Sequence, residues 1–411
     1  MLDPNIIREN PDLVRGKIKD RGVDAKLVDK FLDVDDKWRQ EVARVGELRA
    51  AKNKLGQQDR EEARRLKEQT KSLEEKLKKI ETERGSLLEE FPNLAEDRVP
   101  IGASEADNVV LKEVGKRTEF KFAPRDYLEV AGGMIDTERA AKVSGSRFGY
   151  ILGDLVLLEF ALVRFVMDKL MVHGFVPIVP PVLIKSEPMR GMGKGKFVDD
   201  GDAFYVEKDD LYLVGTAEDT IGSMHMKETL SEKDLPLRYA GFSTAFRREA
   251  GSYGKDTKGI LRVHQFDKVE MFSFTKPEDS VRENDFLLER QEEIVLALGL
   301  PYRVVHICTG DMGFSASNQF DIEAWIPSED RYRETHSCSN TTDFQARGLA
   351  IKYASNGESR YVHTLNATGV AIGRTLIAIL ENYQTKDGTV KVPKVLQDYV
   401  GKKEIKKSGN S

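Results

Sequence analysis

An apolar residue recurs at every seventh position over most of residues 26–91, and such a pattern folds into little besides a long helical seam. Phe31, Trp38 and Val45 stand seven apart, with Val34, Leu48 and Leu55 on the companion positions. After a break near Gly56 the series resumes with Leu66, Leu73, Ile80 and Leu87, supported by Leu77 and Phe91. Lys, Arg, Glu and Gln fill most of the intervening positions. The break is short, so the two pieces are expected to fold back as an antiparallel coiled-coil hairpin. Each arm of roughly 30 residues would reach about 45 Å at the helical rise. Asp59 followed by Glu62 has the spacing of a capping box for the second arm. Residues 1 to about 26 read as a helical lead-in, with Asn10-Pro11-Asp12 as a turn or helix start, and Pro92-Asn93 ends the second arm.

Beyond the arm the pattern changes. The segment to about Val114, with Pro100 and Gly102, reads as a linker. A helix is expected over 153–173 and another over 279–298. Short strands are expected around 211–215, 238–246, 261–274, 303–307 and 319–326. Strands separated by turns, with helices between them, predict an α+β domain, an antiparallel sheet flanked by helices. At 411 residues the chain suits two or three domains. The expected boundaries are 1–108 for the helical domain, with its arm over about 27–91, and 109–400 for the α+β domain. A disordered tail is expected over 401–411. Cys308 and Cys338 are the only cysteines, which fits a reducing compartment rather than a disulfide scaffold. The N-terminus has no apolar signal core and no apolar run reaches membrane-spanning length, so a cytoplasmic protein without a membrane partner is expected. A net charge of -5 argues against a generally basic nucleic-acid coat. A local basic surface is enough to hold RNA, however. Arg44, Arg49, Lys52, Lys54, Arg60, Arg64, Arg65 and Lys71 gather in the tip half of the arm.

Two blocks carry chemistry. Phe246-Arg247-Arg248-Glu249-Ala250-Gly251-Ser252 leads into a stretch running from Arg262 through Val263 and Phe266 to Glu270. Guanidinium groups suit phosphate oxygens, an aromatic face suits a base, and carboxylates suit amines. Taken alone, Arg247-Arg248-Glu249 is equally a solvated charge run on a surface hairpin. The second block, Leu365-Asn366-Ala367-Thr368-Gly369-Val370-Ala371-Ile372-Gly373-Arg374-Thr375, shifts the balance. Together they resemble motifs 2 and 3 of the class II aminoacyl-tRNA synthetases, and in detail those of the seryl-tRNA synthetases. Gly174 to Pro181, behind an amphipathic helix, resembles motif 1. Thr216-Ala217-Glu218 is similar to the family's serine-binding tripeptide. Glu334 to Asn340, followed by Asp343 to Arg347, is similar to its ATP- and magnesium-associated segment.

The resemblance implies roles for single residues. Arg247 would hold the α-phosphate, Glu249 the adenine amino edge, and Val263 would touch the nucleotide. Arg248, Thr335 and His336 fall among the ATP-side residues, and Arg262 would lie near the phosphates. Phe266 and Arg374 would sandwich the adenine. Glu334 and Ser337 would offer oxygen ligands to Mg2+. Thr216, Ala217, Glu218, Glu270, Asn366 and Thr368 would form the serine pocket. The family also implies a homodimer built through motif 1 and an arm that grips tRNA(Ser), with tRNA(Sec) served by the same activity where that RNA exists. Plainer readings stand beside these. Glu270 could be a strand carboxylate paired with Lys268, Thr216 could simply begin a helix, and His264 reads as structural. His336 stands where the family usually has a small residue, and Ala367 where it usually has glycine, which requires φ < 0 there. An amino-acid:carrier-protein ligase and a non-catalytic tRNA-binding paralogue are the alternatives. The full arm speaks against the first, and the intact Arg247, Glu249, Glu270, Glu334 and Arg374 against the second.

Overall fold

The computed structural model describes residues 1–55, 59–250, 258–355 and 357–406. Gly56, Gly251 and Ser252 lie outside them. The chain forms two compact units, Met1–Ala95 and Glu96–Ser411.

The described residues of the first unit form four helices: α1 (Pro4–Glu9), α2 (Pro11–Asp20), α3 (Lys26–Asn53) and α4 (Arg60–Glu89). Pro4 and Pro11 occupy first helical positions, where a missing N–H costs nothing. α3 and α4 pack as the expected antiparallel hairpin. Glu41 meets Lys76 and Arg49 meets Glu74, so the register runs down one arm and up the other. Phe31, Val34, Val45 and Leu66 are buried in the seam, and the Phe31 and Phe91 rings meet edge to face at 5.7 Å. At the C-terminal end of α4, Leu88 rather than the expected Leu87 is buried. The Asp59 side chain makes no cap bond to α4, so the expected capping box does not form. The heptads also gave no sign of Asp35. This carboxylate is buried at the base of the hairpin between Arg8 and Arg84, each with Nε at 2.7 Å. Burial works against its charge, but the two guanidinium groups hold its pKa below the usual carboxylate value.

The second unit is built on an eight-stranded sheet. Its strands are β1 (Val109–Val114), β2 (Val176–Ile178), β3 (Leu237–Phe246), β4 (Gln265–Thr275), β5 (Tyr302–His306), β6 (Asn318–Ile326), β7 (Arg331–Asn340) and β8 (His363–Ala371). Their order is β1-β5-β6-β7-β8-β4-β3-β2. Every pairing is antiparallel except the edge pair of β2 with β3. Five helices matter to the site: α5 (Asp154–Met171), α6 (Glu218–Ser223), α7 (Ser280–Ala297), α8 (Phe344–Leu349) and α9 (Ile372–Asn382). Leu155, Leu158, Leu162, Phe165 and Val166 give α5 one apolar face at helical spacing. With α7 and α9 it joins Val269, Met271 and Ala367 in one core. Successive strand side chains point to opposite faces, so the residues between these face the other side of the sheet.

Two expected boundaries shift. Residues 96–108 are not a free linker: Glu96 N–H donates to Ser317 O, and Thr309 N–H to Pro100 O, each at 2.9 Å. The division therefore falls after Ala95 rather than after residue 108. The chain is also ordered past residue 400, because Glu404–Ile405 pairs with Val390–Lys391 and Ile405 is buried. Residues 407–411 lie outside the described residues. The expected strand from 261 begins only at Gln265.

Candidate active site

A cavity of about 670 Å³ opens on the sheet face away from that core. Phe266, Lys268 and Glu270 enter it from β4, and Asn366 and Thr368 from β8. Two irregularities in strand pairing aim these side chains. Between β4 and β8 the register slips after Val269, so that Glu270 stands opposite Thr368 while Gly369 is the extra residue. A Cβ on Gly369 would come within 3.2 Å of the Val269 carbonyl oxygen. Between β6 and β7 the slip leaves Thr335 as the extra residue. Residues three apart in a regular strand point to opposite faces. The bulge at Thr335 instead brings Glu334 and Ser337 into the same cavity.

The turn before α6 completes the wall. Thr216 Oγ1 donates to Glu270 Oε2 at 3.1 Å, and Glu270 also pairs with Lys268. The pairing with Lys268 expected on the plainer reading therefore forms, but both partners are buried rather than set across the surface. Gln345 Nε2 donates to Glu218 Oε1 at 2.8 Å, while Lys194 Nζ stands 3.4 Å from Oε2. Burial opposes ionisation of Glu218, but Lys194 and Lys268 hold its pKa below the usual value. Burial pushes Asp219 the other way, up to about 6, with the Glu218 charge adding to it.

On the other side, Arg247 donates from Nε to Gly215 O at 3.0 Å and lies 5.3 Å from the Phe266 ring centre. Glu249, with φ of 55°, pairs with Arg262 at 3.4 Å. Val263 lines the cavity beside them. Arg374, on the first turn of α9, binds the Glu334 carboxylate at 3.0 Å and the Glu334 carbonyl at 3.1 Å. Glu334 raises the Arg374 pKa. Glu334 itself is recessed in the cavity, which opposes its charge, but it stays half exposed, and Arg374 holds its pKa below the usual value.

Three expected residues are not brought to the cavity wall. Arg248 turns away to lie 4.3 Å over Phe204 and to donate to Ala203 O. Ala217 is buried against Ile221 and Phe272. His336 follows the bulge residue and so faces the other side of β7. It is buried with Nδ1 2.8 Å from Thr335 Oγ1, and burial pushes its pKa down to about 4. His264 packs between Phe148 and Phe204 and donates from Nδ1 to Arg247 O. Ala367 keeps a negative φ and is buried in the core.

Comparison with known proteins settles the family. Residues 1–95 match the seryl-tRNA synthetase N-terminal domain, and residues 204–383 the class II tRNA synthetase core domain (G, H, P, S and T). The serine–tRNA ligase of Acidothermus cellulolyticus is 47% identical over 417 residues, 98% of each chain. The chain belongs to the seryl-tRNA synthetases. The crystal structure of the Pyrococcus horikoshii seryl-tRNA synthetase complexed with ATP is similar, with a TM-score of 0.93 and 39% identity over 100% of both chains. The cytoplasmic enzyme of Naegleria fowleri, in complex with AMP, follows with 0.88 and 36% over 99% of both.

As a class II aminoacyl-tRNA ligase, this synthetase carries several cavity groups that its sequence motifs did not single out. Lys194 and Asp219 sit on a loop and a short helix, where no periodicity marks an inward side chain. Lys268 could have been found, since it alternates with Phe266 and Glu270 on β4. The donors available for Mg2+ are all oxygens. Ser337 stands opposite Asp321 across the β6–β7 pair, next to Glu334. Burial, reinforced by the Glu334 charge, raises the Asp321 pKa well above the ordinary value. Such a crowded carboxylate pair fits a hard divalent cation. Among the described residues no group of three or more His, Cys, Asp or Glu is arranged around a metal position.

Proposed function

We propose that this cavity joins serine to ATP and then passes the seryl group to the terminal adenosine of tRNA(Ser). The observation that supports it most is the Thr216–Glu270 hydrogen bond in a buried polar pocket within reach of Arg247. Glu270 and Thr216 receive the serine hydroxyl, Glu218 the ammonium, and Asn366 and Thr368 close the pocket from β8. Phe266 and Arg374 take the two faces of the adenine, with Glu249 at its amino edge and Val263 against the nucleotide. Arg262 meets the outer phosphates.

The serine carboxylate is already ionised, so its oxygen attacks the α-phosphorus directly and the pyrophosphate leaves with the electron pair of the broken P–O bond. No histidine base is required. Arg247 holds an α-phosphate oxygen as charge develops there, and the rate comes from alignment and preorganised charge. Mg2+, bound through Glu334 and Ser337, would neutralise phosphate charge. Arg248, Ala217 and His336 act only through their packing.

The basic tip of the α3–α4 hairpin grips the backbone of tRNA(Ser), and of tRNA(Sec) where that RNA exists. Arg64 and Arg65 are exposed there. A homodimer forms through the motif 1 segment. On that segment Val176 and Val179 are apolar yet 55% and 78% exposed, and Phe160 and Val172, on and just after the helix before it, are 62% and 79% exposed. Among the described residues no helix is long and apolar enough to cross a membrane, and the enzyme works in the cytoplasm. Serine-dependent exchange of pyrophosphate into ATP, followed by charging of tRNA(Ser), tests the reading. Absence of exchange with every amino acid would overturn it.

A further inference from the structure

Glu218 does not reach its place unaided. Gln345, on α8, is completely buried and donates from Nε2 to Glu218 Oε1 at 2.8 Å. The other end of the amide is held as firmly. Its Oε1 accepts from Thr364 Oγ1 at 2.8 Å and lies 3.2 Å from Thr341 Oγ1, and both threonines are buried. The charge on Glu218 decides which way the amide points. Turned over, it would aim its oxygen at a carboxylate oxygen, two acceptors with no proton between them.

We propose that Gln345 is a positioning residue for serine activation, holding the Glu218 carboxylate in place and ionised for the substrate ammonium. The proposal rests on reading Glu218 as the seat of that ammonium. Each carboxylate oxygen has room for two hydrogen bonds. With Gln345 on Oε1 and Lys194 on Oε2, acceptor capacity remains on the cavity side. A neutral amide suits the task better than a charged one. It supplies a buried donor without adding a cation that would compete with the substrate for the same carboxylate. Lys194, Lys268 and Asp219 already set the charge around Glu218. Without the amide, the carboxylate would lose a donor where no water replaces it.

The test is pyrophosphate exchange, with KM for serine, KM for ATP and kcat measured separately for the parent, Gln345→Glu, Gln345→Met and Glu218→Gln. Both Gln345 variants should raise the serine KM by roughly 10- to 100-fold, the range for one hydrogen bond to a charged group. The ATP KM should stay within about twofold, a split that general loosening of the site would not produce. Gln345→Glu should be the worse of the two at any pH where the new carboxyl ionises, because it then sets a second carboxylate charge against Glu218. If Glu218→Gln is impaired while both Gln345 variants bind serine normally, the positioning role is overturned. So it is if serine and ATP KM rise together. If Glu218→Gln binds serine normally, the ammonium reading beneath the proposal fails, a result distinct from the other two. Should Gln345→Met not fold, Thr364→Val removes the hydroxyl that holds Oε1, and it should give a smaller rise confined to serine. No such rise would count against the proposal.

Discussion

Arg247 donates its Nε–H to the carbonyl oxygen of Gly215 at 3.0 Å, and the N–H of Gly215 is held by Asp219 Oδ2 at 2.9 Å. The guanidinium proposed for the α-phosphate is therefore built into the turn that presents Thr216. The proposed ATP and serine subsites are thus joined through shared backbone as well as through a shared cavity. Asp219 holds the peptide unit on the N-terminal side of Gly215, and is itself buried and lining the same cavity.

That link separates Arg247 from Arg374. Arg247→Lys keeps the charge but loses the planar fork and the hold on Gly215. It should lower the exchange rate by about 10²–10³-fold and raise KM for serine as well as for ATP. Arg374→Ala should lower the rate comparably but raise only the ATP KM, because its partner is Glu334 and not the serine turn. Exchange kinetics with each substrate varied in turn will show whether the two variants differ this way.

Glu270 should be the most costly pocket residue to remove. Glu270→Ala leaves Lys268 as a buried, uncompensated cation and should destabilise the fold by about 3–5 kcal/mol. Glu270→Gln keeps the shape and should cost less. Both should lose preference for serine over alanine, a discrimination that a hydroxyl-binding site can raise to about 10⁴-fold. Denaturant unfolding gives the first comparison and exchange with the two amino acids the second.

The heptad seam was readable because one spacing, repeated, leaves a helix a single way to bury its apolar side. The strand that leads into Arg247 and the strand that holds Phe266 and Glu270 were readable from alternation. Alternation failed at Thr335 and Gly369, where one extra residue reverses the facing of the strand beyond it. From sequence, Glu334, His336 and Ser337 form one block, yet the bulge sends His336 to the far side. Asp35 was invisible for a different reason, and Gln345, although it fell within a motif block, gave no sign of its contact with Glu218. Their partners lie on other elements, Arg84 on the opposite arm and Glu218 at the start of a short helix. No local pattern marks a polar residue whose burial depends on a distant donor.

His336 should show in the acid stability of the synthetase. Its pKa falls from 6.5 to about 4 on folding, so as pH drops the unfolded chain takes up a proton first. The contribution is fully present above pH 6.5 and is lost as pH falls toward 4, at about 1.4 kcal/mol per pH unit for one proton. His363, pushed down to about 4 by burial as well, adds a second proton over the same window. His336→Ser should therefore be destabilised by its cavity at pH 7.5, and the gap to the parent should narrow steadily between pH 6.5 and 4. Urea unfolding at a series of pH values measures it, and parallel curves would mean that His336 is not buried neutral.

The arm can be shortened without disturbing its base. Arg8 and Arg84 close on Asp35, and Glu41 on Lys76, so these contacts should be kept. Excising residues 46–73 and joining Val45 to Glu74 through a short Gly-containing turn removes the outer hairpin only. The remaining seam still buries Phe31, Val34, Leu88 and Phe91, and its helices should stay folded. Serine activation uses small molecules bound in the second unit, so pyrophosphate exchange should stay close to the parent rate. Charging of tRNA(Ser) should collapse, because Arg49, Lys52, Arg60, Arg64, Arg65 and Lys71 leave with the excised segment. In the intact enzyme, affinity for tRNA should fall steeply with added salt, since each phosphate contact releases counterions. The shortened enzyme should show a shallower slope and a weaker affinity at low salt. Charging at the parent rate would reduce the arm to a spacer and move tRNA recognition to the catalytic unit.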